Sequence, residues 1–261
     1  MRLLIGLLFF SISLPCHGKR TSARSVMEHL IDANRKEKAS LYVTMVLLDA
    51  RGGKRSRKVR MVSRSDKNLT SSILHITAPK QLSGTKVLTI EKASPHSLSR
   101  YIYLPALKAT KRIQSHRSSQ PFAGSDFSYV DLSNIILKDH DFSYLEGASQ
   151  KGVWVIRALP KKPEVIERSG YRERVYYIDK KKNVVKKIVG KGAFMGVEKV
   201  FEAKNFENIG GYHTAFLWVM KRREDKKLTH TSLIKVHKVS YDTAPPKEAF
   251  SQRALKGGFG Y

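Results

Sequence analysis

The chain has 261 residues, with 49 Lys and Arg against 22 Asp and Glu, for a formal charge of +27. Hydrophobic residues make up 41% and aromatics 9%, enough for a packed core, which excludes a disordered or low-complexity chain despite the charge. One cysteine, Cys16, excludes a disulfide framework and a thiolate metal cluster.

Met1 and Arg2 give a positive start, and residues 3–14 form an apolar run. That run is too short for a bilayer-spanning helix, which takes roughly 20 residues. Pro15 breaks it, and Cys16 and Gly18 place small residues at −3 and −1. The pattern predicts a secretory leader over residues 1–18, cut after Gly18, ahead of a single domain over 19–261. The rival reading takes residues 13–16 as a lipobox and anchors the protein by lipid at Cys16, although Pro15 fits that signal poorly.

Residues 25–38 have helical spacing, with Val26, Leu30 and Ile31 on one stripe and Ser25 and Glu28 as a capping box. Beyond them the period changes to two. Strands are expected at 40–49, 54–64, 71–78, 85–91, 100–104, 110–115, 135–144, 152–159, 172–179, 184–189, 199–208, 214–221 and 229–241. Gly52-Gly53 turns the first hairpin, and Val59 and Met61 alternate with Arg57, Lys58 and Arg60 as in a sheet with one wet face. Residues 247–256 close the chain as a short helix or an extended tail. Many short strands in series predict a mainly β fold with few helices, its antiparallel sheet curled into a barrel or a sandwich.

The charge is spread along the chain, with knots at 54–60, 180–187 and 221–227. It reads as a solvated basic surface that keeps the protein soluble or, in the sharper reading, as one attracted to an anionic membrane surface or another envelope polyanion. Nucleic acid is excluded as partner by the export signal and by the lack of any zinc-finger, RNP or helix-turn-helix signature. No histidine pair has metal-ligand spacing, and Asp139-His140-Asp141 reads as a surface cluster. Residues 190–196 are glycine-rich without phosphate-loop spacing, so they read as a hairpin turn. Ser125, His116 and Asp126 are the one group from which a hydrolase could be assembled, and no spacing fixes their geometry. The segment 117–124 crowds turn formers around Phe122 and reads either as a loop covering a ligand or, preferred, as one that plugs the core with Phe122, Phe127 and Tyr129, with Asp126 or Asp131 paired to Arg112 or Arg117.

Tyr103-Leu104-Pro105-Ala106-Leu107-Lys108, then Lys111-Arg112-Ile113, Arg117, Phe122, Gly124-Ser125-Asp126-Phe127-Ser128-Tyr129 and Asp131-Leu132 resemble the signature of the outer-membrane lipoprotein-sorting, LolA-like proteins. Residues 57–61, Pro79, Gly84-Thr85 and 170–179 extend the resemblance over about residues 25 to 256. It implies an unclosed half β-barrel of LolA/LolB type with an apolar lining and a lid of helix and loops. It also implies a periplasmic, non-enzymatic carrier of lipids or lipid-modified proteins bound for the outer membrane, served by an inner-membrane lipid exporter and without cofactor or metal. The binding residues it implies are Tyr103, Leu104, Arg112, Arg117, Phe122, Asp126, Phe127 and Tyr129, with Val26, Leu30 and Ile31 on the lid helix. A lipid-acting hydrolase and a basic scaffold for envelope polyanions are the alternatives.

Overall fold

A computed structural model describes residues 21–66, 68–92, 97–148 and 150–257. The leader over 1–18, its cut after Gly18 and the alternative anchor at Cys16 lie outside the described residues. The chain opens with α1 (Ala23–Ala33), followed by β1 (Lys38–Asp49), β2 (Lys54–Ser65), β3 (Leu69–Ala78), β4 (Lys86–Lys92), β5 (Ser97–Leu104) and β6 (Ala109–Ile113). A long connection leads to β7 (His140–Tyr144) and β8 (Val153–Pro160), then α2 (Pro163–Ser169). The series ends with β9 (Tyr171–Asp179), β10 (Val184–Gly192), β11 (Val197–Ile209), β12 (Tyr212–Glu224), β13 (Lys227–Ser240) and α3 (Gln252–Lys256).

These thirteen strands form one antiparallel sheet in the order β6-β5-β4-β3-β2-β1-β13-β12-β11-β10-β9-β8-β7. Every neighbour pair is consecutive in the chain, β8 and β9 through α2, except β1 with β13, which joins the two ends of the series, as in Met45 opposite Ile234. The ring is left open between β6 and β7. Register shifts at Tyr42/Val43, Lys58/Val59, Val185/Lys187 and Arg222/Arg223 mark bulges, which bend strands and add twist. Curling follows from them.

Alternation sends one set of side chains to the inner face. Val43, Met45 and Leu47 of β1 meet Val59 of β2, Leu74 and Ile76 of β3, and Ile234 and Val236 of β13 in the largest buried cluster. On the outer face, the C-terminal segment covers an apolar patch over β2 to β5. There Val62, Ile73 and Leu88 are covered by Phe250 and Leu255 of the C-terminal segment. Lys86 locks that cover by donating to the carbonyls of Leu255 (2.9 Å) and Gly257, where the end of α3 favours a cation.

Three details depart from expectation. The helix begins earlier, because Ser22 rather than Ser25 is the N-cap and its hydroxyl accepts the Ser25 N–H at 3.0 Å; Asn34 ends it. The strand expected at 135–144 starts only at His140, since Leu137–Asp139 turns as a 3-10 helix. And α2 was not foreseen, although Pro163 in its first turn and left-handed Gly170 after its end frame it. Among the described residues no helix is long and apolar enough to cross a membrane.

Candidate functional site

The connection between β6 and β7 runs through the hollow of the open barrel. Phe122 and Phe127 sink into the inner cluster beside Val43, Met45 and Ile234, and Phe127 meets Phe201 edge-to-face at 6.3 Å. A tight turn makes this possible: Ala123 and Gly124 both take positive φ, and the Phe122 N–H donates to the Phe127 carbonyl at 2.7 Å. The turn is then pinned to the far wall. Asp126 accepts the Ser232 hydroxyl of β13 at 2.7 Å, and the Asp126 backbone N–H donates to the Ser232 oxygen at 2.9 Å. Lys199 of β11 donates to the Asp126 carbonyl at 2.8 Å. Asp131 accepts from Tyr171 of β9 at 2.7 Å and from Ser128 at 2.8 Å. The aspartates are therefore held by Ser232, Tyr171, Ser128 and Lys199, and Arg112 and Arg117 stand exposed instead of pairing with them.

This crossing divides the hollow into two clefts. The first, about 350 Å³, lies under α1, where Leu30 and Ile31 face Ile188 of β10, Phe201 of β11, and Trp218 and Met220 of β12. The second, about 390 Å³, lies on the other side of the crossing, between Met61, Leu74, Val87, Tyr129 and Trp218. Both volumes fall in the range of small-molecule pockets. Asn34 ties the lid over the first cleft by donating to the carbonyls of Leu30 (2.8 Å) and Asn183 (2.7 Å). At that cleft's rim Lys36 sits 4.5 Å from the centre of the Tyr212 ring, and burial pushes its ammonium down to about 8. Gly190 lets the strand pass flat against Tyr171, whose ring would meet any Cβ placed there.

The residues singled out in the sequence separate into groups. Phe122, Asp126, Phe127 and Tyr129 ride on the crossing loop; Tyr129 lines the second cleft, as does Phe127. Leu30 and Ile31 line the first cleft, while Val26 packs under α1 with Ile156 and Ile178. Tyr103 points to the outer face, under the C-terminal cover, and Leu104 is half-buried at the end of β5. Ser125, His116 and Asp126 are not brought into a triad. The Ser125 hydroxyl is buried and donates to the Phe122 carbonyl at 2.7 Å, Asp126 serves Ser232, and His116 is exposed. Sequence reasoning missed Ile188, Phe201 and Trp218, whose alternation marks them as inward-facing but not as lining a cleft rather than filling a core. It also misplaced His140, which is buried: its Nδ1 lies 2.9 Å from the Ile136 carbonyl and Nε2 3.5 Å from Arg174.

Residues 68–257 match a protein-family model that carries the description "Uncharacterized protein". No curated protein matches the chain. Among solved structures, an outer membrane lipoprotein-sorting protein domain from Vibrio parahaemolyticus superposes with a TM-score of 0.79 at 22% identity, over 90% of this chain and 98% of that one. A DUF1329 family protein from Desulfovibrio piger gives 0.78 at 18%, covering 89% and 97%. A LolA superfamily protein from Nitrosomonas europaea gives 0.68 at 16%, covering 90% and 99%. The chain belongs to the family that the matching model describes, and its fold is LolA-like: one antiparallel sheet curled into a barrel that stays open between β6 and β7.

Proposed function

We propose that this chain is an exported, non-enzymatic carrier that shelters the acyl chains of lipids or lipid-modified proteins in the cleft under α1. The observation that carries the reading is that cleft: about 350 Å³ walled by Leu30, Ile31, Ile188, Phe201, Trp218 and Met220, with a helix as its cover. Each methylene moved out of water is worth about 0.8 kcal/mol, so ten buried methylenes give about 8 kcal/mol, enough to hold an amphiphile without a covalent step. The sorting role printed for the Vibrio domain is in keeping with it. In this reading residues 1–18 direct export and are removed after Gly18, residues 19–261 work in the periplasm as one domain, and an inner-membrane lipid exporter hands over the cargo for delivery to the outer membrane. Basic residues bring the loaded protein to an anionic membrane surface. A hydrolase is not favoured, because Ser125 is turned into its own loop and away from exposed His116.

The test is uptake of a fluorescent fatty acid by delipidated protein. Wild type should bind with an affinity in the micromolar range or better. Ala203→Trp, which fills the same cleft from β11, should lower it at least tenfold while leaving the circular dichroism spectrum unchanged. No uptake by wild type, or uptake indifferent to the tryptophan, would overturn the reading.

A further inference from the structure

Where the barrel fails to close, β5 and β9 send two arginines toward one small chamber that adjoins the cleft under α1. Arg100 is 3% exposed and Arg174 6% exposed. Both line a chamber of about 30 Å³ together with Ser118, His140 and Arg168. The chamber shares Val130, Ser133, Ile135 and Arg174 with the cleft, so the two lie side by side with Arg174 at their boundary.

The charge balance in this chamber is one-sided. Among the described residues neither Arg100 nor Arg174 is in an ion pair, and no carboxylate lines the chamber. Asp139, the nearest acid to Arg168, is taken by that residue, while Glu91 acts on Arg100 only through its charge. Arg100 spends its terminal nitrogens on the hydroxyl oxygens of Ser118 and Ser133, each at 2.8 Å. Its Nε, and the Nε of Arg174, are buried with no hydrogen-bond partner. The Ser118 hydroxyl accepts from Arg100 and donates to no group among the described residues. His140 offers no counter-charge: its burial beside Arg174 keeps it neutral, with the pKa pushed down to about 4. Arg174 lies over the Tyr171 and Tyr176 rings, 5.4 and 5.7 Å from their centres, and meets only the neutral Nε2 of His140 at 3.5 Å. Two buried guanidinium groups without a paired carboxylate are costly, and their unspent Nε donors point to an anion as the ligand.

Size narrows the class. About 30 Å³ holds roughly two or three water-sized groups, which suits the two oxygens of a carboxylate better than the four of a phosphate. Planar guanidinium forks match carboxylates in the same way. We propose that Arg100 and Arg174 hold the carboxylate end of an amphiphile whose hydrocarbon tail lies in the cleft under α1, making a free fatty acid or an acyl chain ending in a carboxylate the preferred cargo. The assignment rests on the carrier reading and adds the headgroup to it. It also gives the open seam a bridge, because the two arginines belong to opposite flanks of the break.

The experiment is displacement of a bound fluorescent probe from the delipidated full chain, at pH 8, by dodecanoate, dodecanol, dodecyl phosphate and acetate. Dodecanoate should displace the probe at a concentration at least tenfold lower than dodecanol, and lower than dodecyl phosphate, while acetate alone should have no effect. In Arg174→Gln and in Arg100→Gln the preference for acid over alcohol should shrink to less than threefold, with the alcohol unchanged. The wild-type comparison needs no variant, so a variant that fails to fold leaves the test intact. Dodecanol binding as well as dodecanoate in wild type would overturn the carboxylate assignment and leave the carrier reading standing, as would a preference for the phosphate. Failure of every amphiphile to displace the probe would overturn both, and strong displacement by acetate alone would reduce the chamber to a free-anion site.

Discussion

At the scale of one side chain, His140 is the most informative. Between two acids in sequence it reads as a surface residue, but each acid turns away: Asp139 pairs with Arg168, and Asp141 lies 3.6 Å from Lys161. The histidine starts β7 facing inward, 3% exposed, and desolvation with the Arg174 charge beside it outweighs the pull of the Ile136 carbonyl and Asp139. A folded pKa near 4 against 6.5 in the unfolded chain fixes the sign. Between those values the unfolded state binds a proton that the folded state refuses, so stability falls as pH drops through that window. The gap corresponds to about 3 kcal/mol. Urea unfolding at pH 7 and pH 4 should show wild type losing about that much more than His140→Gln, which keeps an N–H for the Ile136 carbonyl. Equal losses would mean that His140 is charged when folded.

At the scale of elements, the connection between β6 and β7 governs the interior. Phe127 is among the largest fully buried side chains, and Phe127→Ala should cost about 3–5 kcal/mol in urea unfolding, because the turn around it is pinned to Ser232 and Lys199 and cannot collapse into the space. A cost under about 1 kcal/mol would mean that the crossing is only a loose plug. Much of this level was legible in advance. Alternation in β1 and β2 and the turn residues between strands located the hairpins, because each depends on a short stretch of chain. The burial of Phe122 and Phe127 was legible for the same reason, as apolar residues in a turn-rich segment. That the ring stays unclosed was not contained in the period; it came from the resemblance of residues 103–132 to a family with that fold, and neither located the gap between β6 and β7. The partners of Asp126 and Asp131 were also out of reach, since Ser232, Lys199 and Tyr171 come from strands distant in sequence. Arg100 and Arg174 were hidden likewise: among 49 basic residues, nothing local marks the two that fold inward.

At the scale of the whole molecule, most of the exposed apolar groups converge on one end of the barrel. Strand directions place the β1–β2, β5–β6, β10–β11 and β12–β13 turns together, because β1 runs toward the start of β13 and the others alternate from there. That end carries Leu107, Phe194, Met195 and Leu228, four of the five large apolar side chains that are exposed among the described residues. Phe194 and Met195 stand out most, 81% and 80% exposed, on the turn after β10. The turn is braced, not loose: the Asp225 N–H donates to the Gly196 carbonyl at 2.9 Å, and a Cβ on Gly196 would run into the Asp225 carboxylate. Arg172, Lys191, Arg223 and Lys226 lie next to it, Arg223 paired with Glu198 and Lys191 with Glu173. Apolar tips beside net basic charge suit the surface of an anionic bilayer, where an unpaired nearby cation contributes about 1 kcal/mol and a buried Phe or Met about 1.5–3 kcal/mol. Sedimentation with vesicles containing anionic lipid should therefore pull down the protein, with binding falling steeply between 50 and 500 mM salt, conditions chosen to shrink the Debye length from roughly 14 to 4 Å. Phe194→Ser with Met195→Ser should weaken that binding about tenfold or more at every salt concentration, because the apolar part is not screened. Vesicle binding that disappears with salt but ignores the double substitution would reduce the contact to surface charge alone, and equal binding to neutral vesicles would remove charge from the account.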